Sequence, residues 1–366
     1  MGKNLRRKAC FCALLAIGAA PSVMAAVTED DLALVEEEIN TIKEARETAT
    51  QVSGYVDAEY IDDSRDTATI PDKYGFRMHH LSLFVTKKFN HDWKFFSELE
   101  FEDGVNTEDG IGTIFAEAIN IDYQWSPSQY VRVGRDFTPA GIWSVDHYPP
   151  FVPTQEMPMH IRKIFPDVVD GIDAHGTVAM GSTFMDYDAY VANGDRTNGY
   201  DSAGEKDNNH QKTVGGRVSF ILPAFNRLEL GASVLKDTNT DSSVPENVEK
   251  TAIGVHGKLK VGSVTLQSEY ASDTKKPQGG GAETKQLGYY LQALYDIQQW
   301  TVGYRYDFWD EDKSDANKVT DNAVFVNYHV NPNIVCKLET HMVSNKDSAV
   351  EDYQRTILSI AYYLGN

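Results

Sequence analysis

The chain has 366 residues, with 54 aspartates and glutamates against 34 lysines and arginines, and a formal net charge of -20. That balance argues against a nucleic-acid partner, which selects basic surfaces. Mean hydropathy is -0.41. After the first two dozen residues no apolar run approaches the ~20 residues of a membrane helix, so membrane passage would have to use strands.

The N-terminus reads as a secretory signal. Lys3, Arg6, Arg7 and Lys8 precede an apolar stretch at 9–20, and Val23-Met24-Ala25 is a small-residue cleavage site. Residues 1–25 are therefore set apart from the fold. Removing their four basic residues, with no acid among them, would take the charge from -20 to -24. Cys10 and Cys12 belong to this segment, and Cys336 alone cannot form an intramolecular disulfide. In residues 26–50, Leu32, Val35, Ile39 and Ile42 mark two heptads of an amphipathic helix. The expectation is a short coiled coil joining subunits; a helix packing locally is the alternative.

From Val52 the period changes to two. Trp93, Phe95, Ser97, Leu99 and Phe101 alternate with Lys94, Phe96, Glu98, Glu100 and Glu102, and Trp300, Val302, Tyr304, Tyr306 and Phe308 alternate with Thr301, Arg305 and Asp307. The pattern predicts strands at 52–61, 78–89, 93–103, 113–125, 129–137, 171–180, 183–193, 212–222, 226–236, 250–260, 263–272, 286–297, 299–309, 322–330, 333–344 and 354–364. Seven short connections alternate with eight longer polar ones. An even number of strands, short turns at one end and long loops at the other are the plan of an outer-membrane barrel. The predicted fold for residues 51–366 is therefore all-β, a 16-stranded antiparallel transmembrane β-barrel with both termini periplasmic. Phe89, Trp93, Trp125, Tyr130, Phe225 and Trp300 flank the short turns, as expected of an interfacial aromatic girdle. Glu117 fits badly: simple alternation places it outward with Ile119 and Ile121, at the outer rim or beside a bulge.

The third long loop, 138–170, holds six of the 13 prolines together with Trp143, Phe151, Ile161, Ile164 and Phe165. Proline excludes a strand, and exposed loops are seldom so apolar. The loop is expected to fold into the barrel and narrow the channel; capping the outside or covering a subunit contact is the alternative. Selectivity would then rest on Asp146, Glu156, Arg162, Lys163 and Asp167 of the loop and on Glu98, Glu100, Arg132 and Asp136 of the facing wall. Other inward charges, among them Arg217, Arg305, Lys337, Asp57, Glu59, Asp122, Glu269, Asp307 and Glu339, are of mixed sign, which favours a general channel over a strongly anion-selective one.

Ser97-Glu98-Leu99-Glu100-Phe101-Glu102-Asp103-Gly104, Arg132-Val133-Gly134-Arg135 followed by Pro139-Ala140-Gly141, and the proline-rich loop ending in Asp170-Gly171 occur in an order that resembles the phosphate-selective porin O and P family. The resemblance implies an outer-membrane homotrimer passing small hydrophilic solutes or ions passively, in contact with outer-membrane lipid and lipopolysaccharide. Phosphate-specific members look as if they use a dense ladder of arginines and lysines, which the mixed inward charges here do not reproduce.

No cofactor or catalytic residue is expected, as no nucleophile elbow or phosphate loop is present. His79 and His80, adjacent in a strand, are expected to face opposite sides and so to make a poor metal pair. The competing function is a structural or surface-interaction barrel with a plugged lumen and acidic loops that bind cations or lipopolysaccharide. A barrel-embedded enzyme has no supporting motif.

Overall fold

The computed structural model describes residues 35–38, 48–65, 74–106, 111–193, 210–240, 247–312, 317–347 and 350–365. The predicted signal peptide lies outside the described residues, as does most of the predicted helix, of which 35–38 are helical. The barrel is built within Ala49–Asn366, a unit separate in its contacts from Met1–Thr48.

Sixteen strands are present: β1 (Gln51–Asp63), β2 (Tyr74–Lys88), β3 (Trp93–Asn106), β4 (Ile111–Ser126), β5 (Gln129–Phe137), β6 (Val168–Met180), β7 (Thr183–Ala192), β8 (Thr213–Leu222), β9 (Leu228–Thr240), β10 (Asn247–Val261), β11 (Val264–Pro277), β12 (Thr284–Ile297), β13 (Trp300–Asp310), β14 (Lys318–Asn331), β15 (Ile334–Asn345) and β16 (Tyr353–Tyr363). Each pairs antiparallel with its sequence neighbours. β1 also pairs with β16, Tyr55 opposite Tyr363 and Asp63 opposite Arg355, which closes the barrel and leaves no edge. All sixteen predicted strands are found. The main difference in length is at the long-loop rim, where β2, β9, β10, β11 and β14 run on by several residues. There the apolar alternation stops, as in Lys236-Asp237 and Thr274-Lys275-Lys276, but backbone pairing continues.

Burial is inverted relative to a water-soluble protein. On β13, outward Val302 is 39% exposed, while inward Arg305 and Asp307 are fully buried. Large apolar side chains cover the outside, and charges line the inside, as a lipid-facing wall around a polar interior requires. Five of the six girdle residues, Phe89, Trp93, Trp125, Phe225 and Trp300, are exposed near the short turns. Tyr130 is not in the girdle. It shares the parity of Arg132, faces inward and stacks on His175 with ring centroids 5.3 Å apart.

Two β-bulges correct the simple alternation. Between β3 and β4, Glu98 pairs with Ala118 but Leu99 with Ala116, so Glu117 is the extra residue; it turns inward and is 1% exposed. Between β1 and β2, Asp57 pairs with His80 but Ala58 with Met78, so His79 is the extra residue. The expectation that His79 and His80 face opposite sides is therefore wrong: both rings lie inside, with centroids 3.6 Å apart.

Candidate functional site

Phe137 pairs directly with Val168, so residues 138–167 leave and rejoin the wall at one point. Between these ends the loop crosses the interior. Wall carboxylates accept its backbone N–H groups: Ile142 and Trp143 donate to Glu269 on β11 (2.8 and 3.1 Å), Met159 to Asp307 on β13 (2.8 Å), and Gln155 and Glu156 to Glu339 on β15 (2.8 and 3.1 Å). Wall cations take its acceptors. Arg217 donates to the Gly141 carbonyl (2.9 Å), Arg305 to Thr154 Oγ1 and the Glu156 carbonyl (2.8 and 3.0 Å), and Lys337 to Gln155 Oε1 (3.1 Å). Such charge-assisted bonds are about twice as strong as neutral ones. The proline-rich backbone makes local turn bonds, such as Asp146 to the Ile142 carbonyl and Phe151 to the Tyr148 carbonyl (3.1 and 2.8 Å), and the wall satisfies further groups.

The loop's apolar residues explain its composition. Ala140, Ile164 and Phe165 pack with inward Leu235, Ala252, Ala271 and Trp309, while Trp143, Val152 and Ile161 gather on Tyr290. Full burial of such a side chain is worth about 1.5–3 kcal/mol. Phe151 remains exposed and meets Tyr363 with ring centroids 5.2 Å apart.

The predicted selectivity residues divide into separate groups. Glu98 and Glu100 lie with the bulged Glu117, one carboxylate oxygen from each falling within 4.8 Å of the others. Ser82 and Tyr148 donate to Glu98 (2.6 and 3.1 Å), and Tyr55 donates to Glu100. Arg162 faces this cluster at 3.7 Å from Glu117 and lies 3.3 Å from Asp167. It holds a left-handed φ of 64°, a strained backbone that clusters at functional sites. Glu156 is elsewhere, paired with Arg355. Arg132 and Asp136 pair with each other and, through Arg132, with Asp122 (2.7 Å). Lys163 sits 4.8 Å over the Trp309 ring, and Asp146 is exposed.

A family model described as Gram-negative porin matches residues 13–348. The chain belongs to the Gram-negative porin family. It is an outer-membrane channel for passive diffusion. Among solved structures, the porin is similar to an anion-selective porin from Comamonas acidovorans (TM-score 0.66, 16% identity, covering 86% of this chain and 99% of that one). It is also similar to the outer-membrane channel DcaP of Acinetobacter baumannii (0.61, 14%, 86% and 96%) and to a trimer form of OmpT from Vibrio cholerae (0.57, 10%, 86% and 99%). An uncharacterized protein of Aquifex aeolicus is 29% identical over 202 residues, 50% of this chain and 43% of that protein's length.

Glu117, Arg355 and the buried His341, whose ring nitrogens lie 2.6 Å from Asp321 and 3.1 Å from Glu339, line the interior without standing among the sequence candidates. Arg355 shares the parity of Ser359 and Ala361 and was legible as inward; Glu117 needed knowledge of the bulge. Within the porin's loop, burial, with Arg305 and Lys163 close by, pushes His160 down to about 3, and burial also lowers His147. Both are neutral in the folded chain near pH 7, whereas an unfolded histidine takes up a proton at about 6.5. The stability this supplies is complete above about pH 6.5 and is lost as the pH falls toward 3. Thermal unfolding of the folded porin should therefore move to lower temperature between pH 6 and 4, and His160→Phe should flatten that fall. Superimposable profiles for the two proteins would contradict the assignment.

Proposed function

We propose that residues 138–167 narrow the lumen and that the remaining aperture passes small hydrophilic solutes and ions with a preference for cations. The observation that carries this reading is the set of bonds from one loop to carboxylates on β11, β13 and β15, far around the barrel from its root at β5 and β6. A sixteen-stranded barrel would otherwise enclose a wide aqueous channel.

The preference for cations follows from the charge balance on the wall: the loop engages three cations on one side, while on the other it meets Glu98, Asp57 and Glu117 with one cation of its own, Arg162. Arg217, Arg305 and Lys337 are bound to the loop. On the opposite wall Asp57, Glu59, Glu98, Glu100, Glu102, Glu117, Asp122 and Asp136 outnumber Arg77, Lys88, Lys94, Arg132 and the loop's Arg162. A ring with excess acid favours cations. This separates the chain from the Comamonas protein, described as anion-selective, and from phosphate specificity within the porin O and P family it resembles. Assembly as a homotrimer is part of the proposal, supported by the trimer form of the Vibrio protein. So are the signal peptide at 1–25, the coiled coil within 26–50 and periplasmic termini. The test is the reversal potential of the reconstituted protein across a potassium chloride gradient, with liposome swelling in neutral sugars of graded size. A cation-signed potential and a sharp size cut-off are expected. An anion-signed potential would overturn the charge assignment, and no uptake of any sugar would favour the plugged barrel.

A further inference from the structure

The bulge on β2 brings inward two histidines that the channel reading does not use. His79 and His80 both enter the interior opposite Asp57 and Glu59 of β1, and each keeps part of its ring open to solvent, with side chains 14% and 17% exposed. His80 Nδ1 lies 2.9 Å from Asp57 Oδ1, and His79 Nδ1 lies 3.6 Å from both Asp57 Oδ2 and Glu59 Oε2. His79 Nδ1 and Glu59 Oε2 are buried, and neither has a hydrogen-bond partner. Two such atoms orphaned side by side need an explanation. A shared proton would draw them to about 2.7–2.9 Å. A separation of 3.6 Å is instead near that of two ligands on one tetrahedral ion, about 3.4 Å for metal–ligand bonds of about 2.0–2.1 Å.

The surroundings hold these donors in place. His79 Nε2 lies 3.8 Å from Glu102, beyond hydrogen-bond length. Arg77 donates to Glu59 Oε1 at 2.5 Å and leaves Oε2 turned toward His79. Gln155 of the loop donates to Asp57 Oδ2 at 2.7 Å, so the inserted loop also fixes a donor. Two imidazoles with carboxylates suit zinc and its neighbours in the first transition row rather than calcium or magnesium, which take oxygen ligands.

We propose that His79, His80, Asp57 and Glu59 form a binding site for a divalent transition-metal ion, with Zn²⁺ as the expected occupant, on the interior wall. Asp57 and His80 supply one side, His79 bridges toward Glu59, and the solvent-facing edges of the imidazoles admit the ion from the interior.

The folded, chelator-treated full chain in detergent would be titrated with Zn²⁺ by calorimetry and with Co²⁺ by visible absorption. One ion per chain and the intense visible bands of a tetrahedral cobalt site are expected. His79→Ala and His80→Ala should each weaken binding by more than about tenfold, and Gln155→Ala, whose side chain holds Asp57 and none of the other three proposed ligands, by about tenfold. Folding of each variant is checked by its heat-modifiable migration on gels, and His79→Gln with His80→Gln serves as the milder pair. Absence of binding to the wild-type chain, or equal affinity in a folded double variant, would overturn the site. The readout is binding alone, so it stands or falls independently of whether the barrel conducts.

Discussion

Replacing residues 140–165 with a short Gly-Ser turn should raise single-channel conductance severalfold and leave the barrel folded. Phe137 and Val168 are paired, so a tight turn closes the β5–β6 hairpin at its existing register. The wall groups that lose the loop, Glu269, Asp307, Glu339, Arg305 and Lys337, pass from loop partners to water rather than to an empty core. Arg305→Ala should act in the same direction by a smaller route. Arg305 is fully buried, holds both Thr154 and the Glu156 carbonyl and lies 3.9 Å from the buried Asp307, and removing one member of a buried ion pair costs about 3–5 kcal/mol. Its channels should show frequent transitions to a larger conductance as the 154–156 segment detaches. Unchanged conductance after loop excision would mean that residues 138–167 do not limit flow.

Gly134→Ala should nearly abolish recovery of folded barrel. Gly134 holds φ at 132°, and a Cβ added there would stand 2.2 Å from the Ile119 carbonyl oxygen and 2.9 Å from Asn120 Cα, both backbone atoms that cannot move aside. Backbone strain of about 1–3 kcal/mol and overpacking of about 1–3 kcal/mol act together. The neighbouring Arg135 then loses its geometry toward Asp170 (2.8 and 2.9 Å) and toward the Ala116 carbonyl at the β4 bulge (3.1 Å). Gly75 is the control. Its φ is 136° but nothing lies within 4 Å, so Gly75→Ala reports the strain without the clash. Refolding yield on heat-modifiability gels should collapse for Gly134→Ala and fall only modestly for Gly75→Ala. Equal yields would show that the close approach of β4 and β5 is not needed.

The sixteen strands were legible because each carries one lipid-facing row, and a row of alternate apolar residues is a local signal. Strand ends at the long-loop rim were not, since Lys275 and Lys276 look like loop while still pairing across the sheet. The bulge at His79 escaped, and the one at Glu117 stayed one of two readings, for a related reason. Whether Glu117 and His79 point in or out depends on the register of the neighbouring strand, which no single segment encodes. The wall charges were correctly placed inside, but their roles were not legible. Arg217, Arg305, Lys337, Glu269, Asp307 and Glu339 read only as inward charges of mixed sign, whereas the structure engages them with the loop. Only the path of a proline-rich segment through the interior assigns them, and that path is tertiary. The strength of the loop reading lay in its apolar content, for which the inward Leu235, Ala252 and Tyr290 supply the missing half.

The most direct test of the central claim is planar-bilayer recording of the purified, folded chain. A water-filled channel predicts discrete, ohmic conductance steps, in groups of three for the proposed trimer, whose size follows bulk electrolyte conductivity. A membrane that stays silent while the same sample is shown to be inserted and heat-modifiable would contradict the channel and leave a plugged barrel.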